Sequence, residues 1–516
     1  MRTNNRAIGW RVVLAVVLAW PALAHAEWRK AETDRFVIYG EGREGPLREL
    51  AIKLTTFDAV LRVMNPSAGK DLPPRRFEVY LARDHNDLRA VRPGLGDGIA
   101  GFYTANPHAV FAMAKVRSEG LDAEDVLFHE YAHHFMLENF PAAYPGWFIE
   151  GWAEYYMTTQ IKFRQVTVGG YNENRIYWLF NAQWLPLETI LSKATWQIEP
   201  SRRHVYYSQA WLLMHYLRTD PARAKQLDKA VTAIAAGADP VNALQDATGM
   251  DMKTLTSALR KYHKLPIYKF PDFALAEPQV TMSSMPASAD DFLLTGLRLA
   301  DADPEKPDLA LLADVRRRAA RWPGDRLAEL TQAQVEFLYG DVSAGEAIVK
   351  LWLDRDPKDV EVLLLAGNGQ IAAGQRKGAD QAARLRKARA HLIQAYKLDN
   401  ADYRILLAYT FSRQLEPGYP NDNDLNALLE ARGLAPSVQQ SSVLAGAALL
   451  KLGRREQAVK LLSIVGNDPH GGPMSAQARA LIEGKSPEEA AQVAAAEDDT
   501  SPPPQPPAPK AGKTAS

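Results

Sequence analysis

His129 and His133 stand four residues apart with Glu130 beside the first, and Glu150 and Glu154 take the same four-residue step shortly afterwards. On an α-helix that step puts two side chains on one face. Two imidazoles on one face can hold a single metal ion, and the carboxylate between them can act as general base toward a metal-bound water. A metal that activates water needs three protein ligands and one open position. Glu150 is the obvious third ligand, and Glu154, one turn on, can hydrogen-bond a ligating histidine from behind. His134 adjoins a ligand and so faces about 100° away from the metal. The chemistry expected of such a set is hydrolysis: one Zn2+ per chain on His129, His133 and Glu150 would lower the pKa of its water toward about 7. Glu130 takes the proton and returns it to the leaving amine.

These side chains need helices, and the sequence provides them. Asp122 is placed to cap a first helix, Glu124 and Asp125 suit its opening turn, and Asn139 and Pro141 end it. A second helix is expected from Trp147 through Met157, with Glu150 and Glu154 on one side. Glu150 follows His133 by 17 residues, close enough to return beside the first helix. Upstream, 35–39 and 76–81 read as strands and 46–64 as a helix, while 101–104 and 109–113 read as two strands joined at Asn106-Pro107. A mixed sheet therefore precedes the histidines. Further helices are expected over 187–195 and 205–219.

Arg2, Arg6 and Arg11 precede the apolar run Val12–Trp20 and the small-x-small site Ala24-His25-Ala26, the pattern of a secretory signal peptide over 1–26. The run is short for a membrane span, and no other long apolar segment follows, so the mature chain is expected to have no transmembrane segment. The whole chain of 516 residues has no net charge; removing 1–26 leaves 58 basic against 61 acidic groups, which points away from nucleic acid. The absence of cysteine excludes disulfides, thiolate metal ligands and thiol catalysis. An exported, periplasmic protein fits these features.

The length calls for two or three domains. Pro266, Pro271, Pro278 and Pro286 mark a linker over 266–287 after a first domain at 27–265. Over 288–490 the chain repeats. Pro323, Pro357, Pro436 and Pro469 each close a polar turn, and Gly340, Gly374 and Gly453 lie 17 residues after the proline that opens their unit. Asn400 stands in for one missing proline, and a basic insert at Arg376–Arg386 lengthens that unit. A glycine at fixed phase would let two helices cross closely, and a proline would stop the second. Such units bury together faces that none could bury alone, and form surfaces suited to a protein substrate or partner. The Pro- and Ala-rich residues 491–516 read as a disordered tail.

The repeat phase resembles tetratricopeptide repeats. The segment Trp147-Phe148-Ile149-Glu150-Gly151-Trp152-Ala153-Glu154-Tyr155 resembles the second-helix motif of gluzincin metallopeptidases, and the chain is most similar to exported peptidase-MA-like proteins. The resemblance covers about 27–265 and implies an α+β zincin-like catalytic domain, mixed sheet plus helices, followed by an all-α repeat domain. It implies Glu150 as zinc ligand and Glu154 as its supporting carboxylate. Tyr207-Ser208-Gln209-Ala210 resembles the place where related aminopeptidases keep a tyrosine that donates to the developing oxyanion, a task suited to an uncharged phenol; neighbouring Tyr206 and His204 remain alternatives. No Gly-x-Met-Glu-Asn segment is present to hold a free amino terminus, so an endopeptidase is expected rather than an aminopeptidase. The strand at Ala109–Met113 sits where the clan places a substrate-aligning edge strand, which would bind peptide backbone by β-addition; an ordinary structural strand is the equal alternative. The expected function is an exported zinc peptidase whose repeats recruit substrate or a protein partner. The alternative is a repeat scaffold carrying a vestigial, inactive zinc-binding domain.

Overall fold

The first half of the chain forms a mixed sheet with helices, and the second half is all helical. The computed structural model describes residues 27–498 except 70, 74, 98, 119–120, 274–277, 377 and 379. The expected signal peptide at 1–26 and residues 499–516 lie outside the described residues. No helix among the described residues is long and apolar enough to cross a membrane.

The chain opens with β1 (Trp28–Glu32) and β2 (Phe36–Glu41), crosses through α1 (Glu44–Met64) to β3 (Phe77–Ala82), and passes α2 (His85–Val91) to the hairpin β4 (Gly101–Ala105) and β5 (Val110–Lys115). Two short pairings follow, β6 (Arg117–Ser118) with β7 (Leu121–Asp122), and β8 (Gln160–Lys162) with β9 (Gln165–Val168). β10 (Tyr268–Phe270) joins β9, and β11 (Thr281–Ser284) returns to β1. The large sheet has the order β11-β1-β2-β3-β5-β4, parallel only across β2-β3 and β3-β5. Phe36 and Ile38 on β2 are wholly buried, as expected for strands in the parallel centre with helices against them.

One detail differs from the sequence reading, and a second decides between its alternatives. The segment 266–287, expected as a linker, is fastened into two sheets by β10 and β11, because strand pairing reaches partners more than 90 residues away and leaves no local periodicity. Of the two readings of the strand at 109–113, a substrate-aligning edge or an ordinary structural strand, the second holds, because the strand is interior. It is β5, paired on both sides, and β4 forms the free edge beside it.

The histidine-bearing helix, α3 (Ala123–Asn139), packs on α1. Phe57 and Phe128 stack at 4.0 Å, and the Tyr131 hydroxyl donates to Asp58 at 2.7 Å. Arg62 and Arg35 neutralise the same buried carboxylate. Asp122, the expected cap, precedes this helix, but its side chain lies outside the described residues. α4 (Gly146–Tyr156) starts after Pro145 and is buried along its whole length. Beyond it come α5 (Glu173–Asn181), α6 (Leu187–Ser192) and α7 (Arg203–Arg218). α7 presses on α4 at Gly151, where a Cβ would lie 2.6 Å from the Ala210 carbonyl oxygen. Backbone cannot step aside as a side chain can. Gly151→Ala should therefore lose about 1–3 kcal/mol despite its better helix propensity, read from urea unfolding. Three further helices, Pro221–Ala235, Pro240–Thr248 and Met252–Lys261, complete the first half.

Twelve helices fill Ala289–Asp498 among the described residues, most joined by short turns and packed on their neighbours. Pro323, Pro357, Pro436 and Pro469 all fall in turns, where the missing N–H costs nothing. The helix Pro487–Asp498 takes in 491–498, residues expected with the tail. Of the three glycines expected at close crossings, Gly340 and Gly374 do face a neighbouring helix, where a Cβ would lie 2.9 Å from Leu312 and 3.2 Å from Arg384, but Gly453 sits in an open turn. Still closer crossings fall at Gly367, Gly369 and Gly446, where a Cβ would lie 2.5, 2.3 and 2.5 Å from Leu392, Phe337 and Leu462.

The helical region docks on the sheet domain. Arg75 pairs with Asp402 at 3.1 Å, and Asn106 at the β4-β5 hairpin tip donates to Asp301 and accepts from the Tyr403 hydroxyl. The Ser437 amide donates to Glu138, and Asn467 donates to the Ala143 carbonyl.

Candidate metal centre

α3 and α4 bring His129, His133 and Glu150 together. The two Nε2 atoms are 3.1 Å apart with the rings nearly perpendicular, at 84°. Glu150 Oε2 lies 3.8 Å from His129 Nε2 and 3.6 Å from His133 Nε2. All three side chains are buried, and their ligand atoms fall within 4.8 Å of one another. Glu150 Oε2, the oxygen facing the two imidazoles, has no hydrogen-bond partner, while Oε1 lies 3.1 Å from His470 Nε2. A buried carboxylate left this way is costly unless a cation meets it. A tetrahedral ion with bonds of about 2.0–2.1 Å to nitrogen would hold two such nitrogens about 3.3 Å apart, close to what is seen. The residues fit a metal ion, and two imidazoles with one carboxylate suit several divalent metals.

The electrostatics agree with that use. Burial, aided by His133, holds His129 well below the usual histidine range, so its imidazole is neutral as a ligand must be. Burial alone would raise Glu150, but His470 and His133 outweigh it and keep the carboxyl well below its usual range. Glu130, half-buried at the same cleft, is raised by burial, the direction that makes a carboxylate a better base. Removing the third ligand should show directly: Glu150→Ala is expected to lose most of its bound metal, read by elemental analysis of the purified chain.

Glu154 lies where α4 predicted it, but with a partner the sequence did not reveal. Its Oε1 is 3.6 Å from His129 Nδ1, beyond hydrogen-bond length, and both oxygens accept from Arg175 at 2.6 and 2.7 Å. The pair is completely buried, and Glu154 offsets the cost of burying the Arg175 guanidinium. Asn172 caps α5 by accepting from the Asn174 and Arg175 amides, which fixes the turn carrying this arginine. That Asn-Glu helix start was the available signal.

Of the three oxyanion-donor candidates, only Tyr207 lines the cleft. The Arg175 guanidinium lies 5.1 Å from its ring centroid. Burial and the nearby Glu150 push the phenol well above its usual range, so it stays a protonated donor. Tyr206 is committed to the Lys193 carbonyl at 2.7 Å, and His204 packs on Trp178 at 3.8 Å. His134 turns to the sheet, with Nδ1 3.1 Å from the Tyr103 hydroxyl, and burial lowers it to about 3.

The cleft over the triad has a volume of about 270 Å³. One wall is the free edge strand β4, through Gly101, Phe102, Tyr103 and Ala105. The other comes from the helical region and includes Ser437, Asp468 and His470. No protein-family model matches this chain, and no curated protein matches it.

Proposed function

We propose that this chain is an exported zinc peptidase that cleaves peptide bonds within a chain. The observation that carries the reading is Glu130. It stands at the cleft beside two histidines and a carboxylate arranged for a metal, and a purely structural metal site has no use for such a base. The same observation favours the enzyme over a scaffold with a vestigial centre. The spacing of the five residues, the mixed sheet and the free strand β4 support a gluzincin-like catalytic domain. The succession of short helices with prolines in their turns supports tetratricopeptide-like repeats. The N-terminal sequence supports export to the periplasm.

The roles follow from position. A zinc ion on His129, His133 and Glu150 would act as Lewis acid and acidify its water. Glu130 would accept a proton from the attacking water as the water oxygen bonds to the carbonyl carbon. It then hands the proton to the amide nitrogen as the carbon–nitrogen bond breaks. Tyr207 donates its hydroxyl hydrogen to the carbonyl oxygen as negative charge gathers there. The backbone of β4 lies beside the cleft and can pair with an extended peptide.

The test is to load the full chain with zinc, incubate it with a mixture of unstructured peptides, and read the new termini by mass spectrometry. Internal cleavage that a chelator abolishes and zinc restores is the expected result. A zinc-loaded chain that cuts none of them would overturn the reading.

A further inference from the structure

Among the residues closing the cleft, His470 differs in origin and in contact. It lies more than 300 residues from the triad in sequence, on the loop between the helices Arg455–Gly466 and Pro473–Ile482. Yet its Nε2 is 3.1 Å from Glu150 Oε1, and its ring centroid is 5.9 Å from that of His133. Glu150 thus has its two oxygens divided: Oε2 faces the paired histidines and Oε1 faces His470. His470 stands outside the set of three whose ligand atoms converge.

The loop that carries it is built to stay. The Pro469 carbonyl accepts from the Trp196 amide and from the Thr195 hydroxyl, both belonging to the sheet domain. Gly471 has φ 72°, and a Cβ there would lie 2.8 Å from the Trp196 ring. Arg479 stacks over the other part of this seat, 4.7 Å from the Trp196 centroid. The His470 side chain keeps 38% of its surface exposed and lines the cleft.

We propose that His470 is a positioning residue of the metal centre: by holding the outer oxygen of Glu150 it turns the inner oxygen to the metal, so metal affinity depends on the helical region being docked. The helical region is then part of the catalytic site rather than an appended recruiting module. This rests on the reading of His129, His133 and Glu150 as metal ligands. A partner that orients a ligating carboxylate sharpens the geometry offered to the ion, and such partners are worth about 10–100-fold in metal affinity.

The experiment measures zinc affinity of the full chain by competition with a chromophoric chelator, and the visible spectrum of the Co2+-loaded chain. His470→Ala should weaken affinity about 10–100-fold and shift the Co2+ bands. His470→Gln should recover part of both, because its amide can offer an N–H to the same Glu150 oxygen. Gly471→Val, which keeps the His470 side chain but pushes its loop off Trp196, should lose affinity like His470→Ala. Wild-type affinity and spectrum in His470→Ala would overturn the proposal. Glu150→Ala run alongside separates the failures: if it too binds zinc normally, the metal centre itself is misassigned.

Discussion

Glu130→Gln is expected to bind zinc as the wild type does and to hydrolyse peptides about 10²–10⁴-fold more slowly. The change keeps the size of the side chain and removes only its ability to accept a proton. Glu130 is not among the converging ligand atoms, so the metal has no reason to leave. It is half-buried at the cleft rather than packed in the core, so the fold has little to lose. At 1.36 kcal/mol for each tenfold, the loss corresponds to about 2.7–5.4 kcal/mol of transition-state stabilisation. The comparison with Glu150→Ala gives the result its meaning. That variant should lose metal and activity together, whereas Glu130→Gln should lose activity alone. Elemental analysis and single-turnover rates on one peptide distinguish the two. Full activity in Glu130→Gln would remove the base from the mechanism.

The parts of this site that are legible in the sequence are those set by helical spacing. His129, His133, Glu150 and Glu154 are polar residues on helices otherwise made for burial, and a four-residue step needs no partner to be read. Tyr207 could be narrowed to a neighbourhood but not chosen, since rotation of α7 about its axis decides which of Tyr206 and Tyr207 meets the cleft. Arg175 and His470 were not legible. A lone arginine on a short amphipathic helix looks like a surface residue until the buried carboxylate opposite is known. A histidine in a turn near the end of the chain has nothing local to tie it to Glu150. The same distinction runs through the fold. α1, α3 and β3 follow from periodicity, while β11 beside β1 and the docking of the helical region are long-range pairings that no window of sequence contains. The repeats were expected to offer their surface to another molecule. The β4-β5 hairpin tip already occupies part of it, through the contacts of Asn106 with Asp301 and Tyr403.

Arg175→Ala should be the most damaging single change to stability near the site, at about 3–5 kcal/mol, because it leaves the Glu154 carboxylate buried with no counter-charge. Both oxygens of Glu154 rest on that one guanidinium, and the pair has essentially no exposed surface. Removing the charge from both sides should cost much less. Arg175→Met combined with Glu154→Leu keeps the volume apolar, and buried pairs replaced in this way are often neutral or better. A double-mutant cycle from urea unfolding of the metal-free chain should therefore show strong coupling between the two positions. Metal affinity separates packing from function. The refolded double variant should still bind zinc about 10-fold more weakly, since the carboxylate 3.6 Å from His129 Nδ1 is gone. Recovery of stability without recovery of affinity would establish that α5 contributes its arginine to hold a carboxylate where the metal centre needs one. If Arg175→Ala unfolds at the wild-type urea concentration, Glu154 must be reached by water or protonated, and the supporting role assigned to it fails.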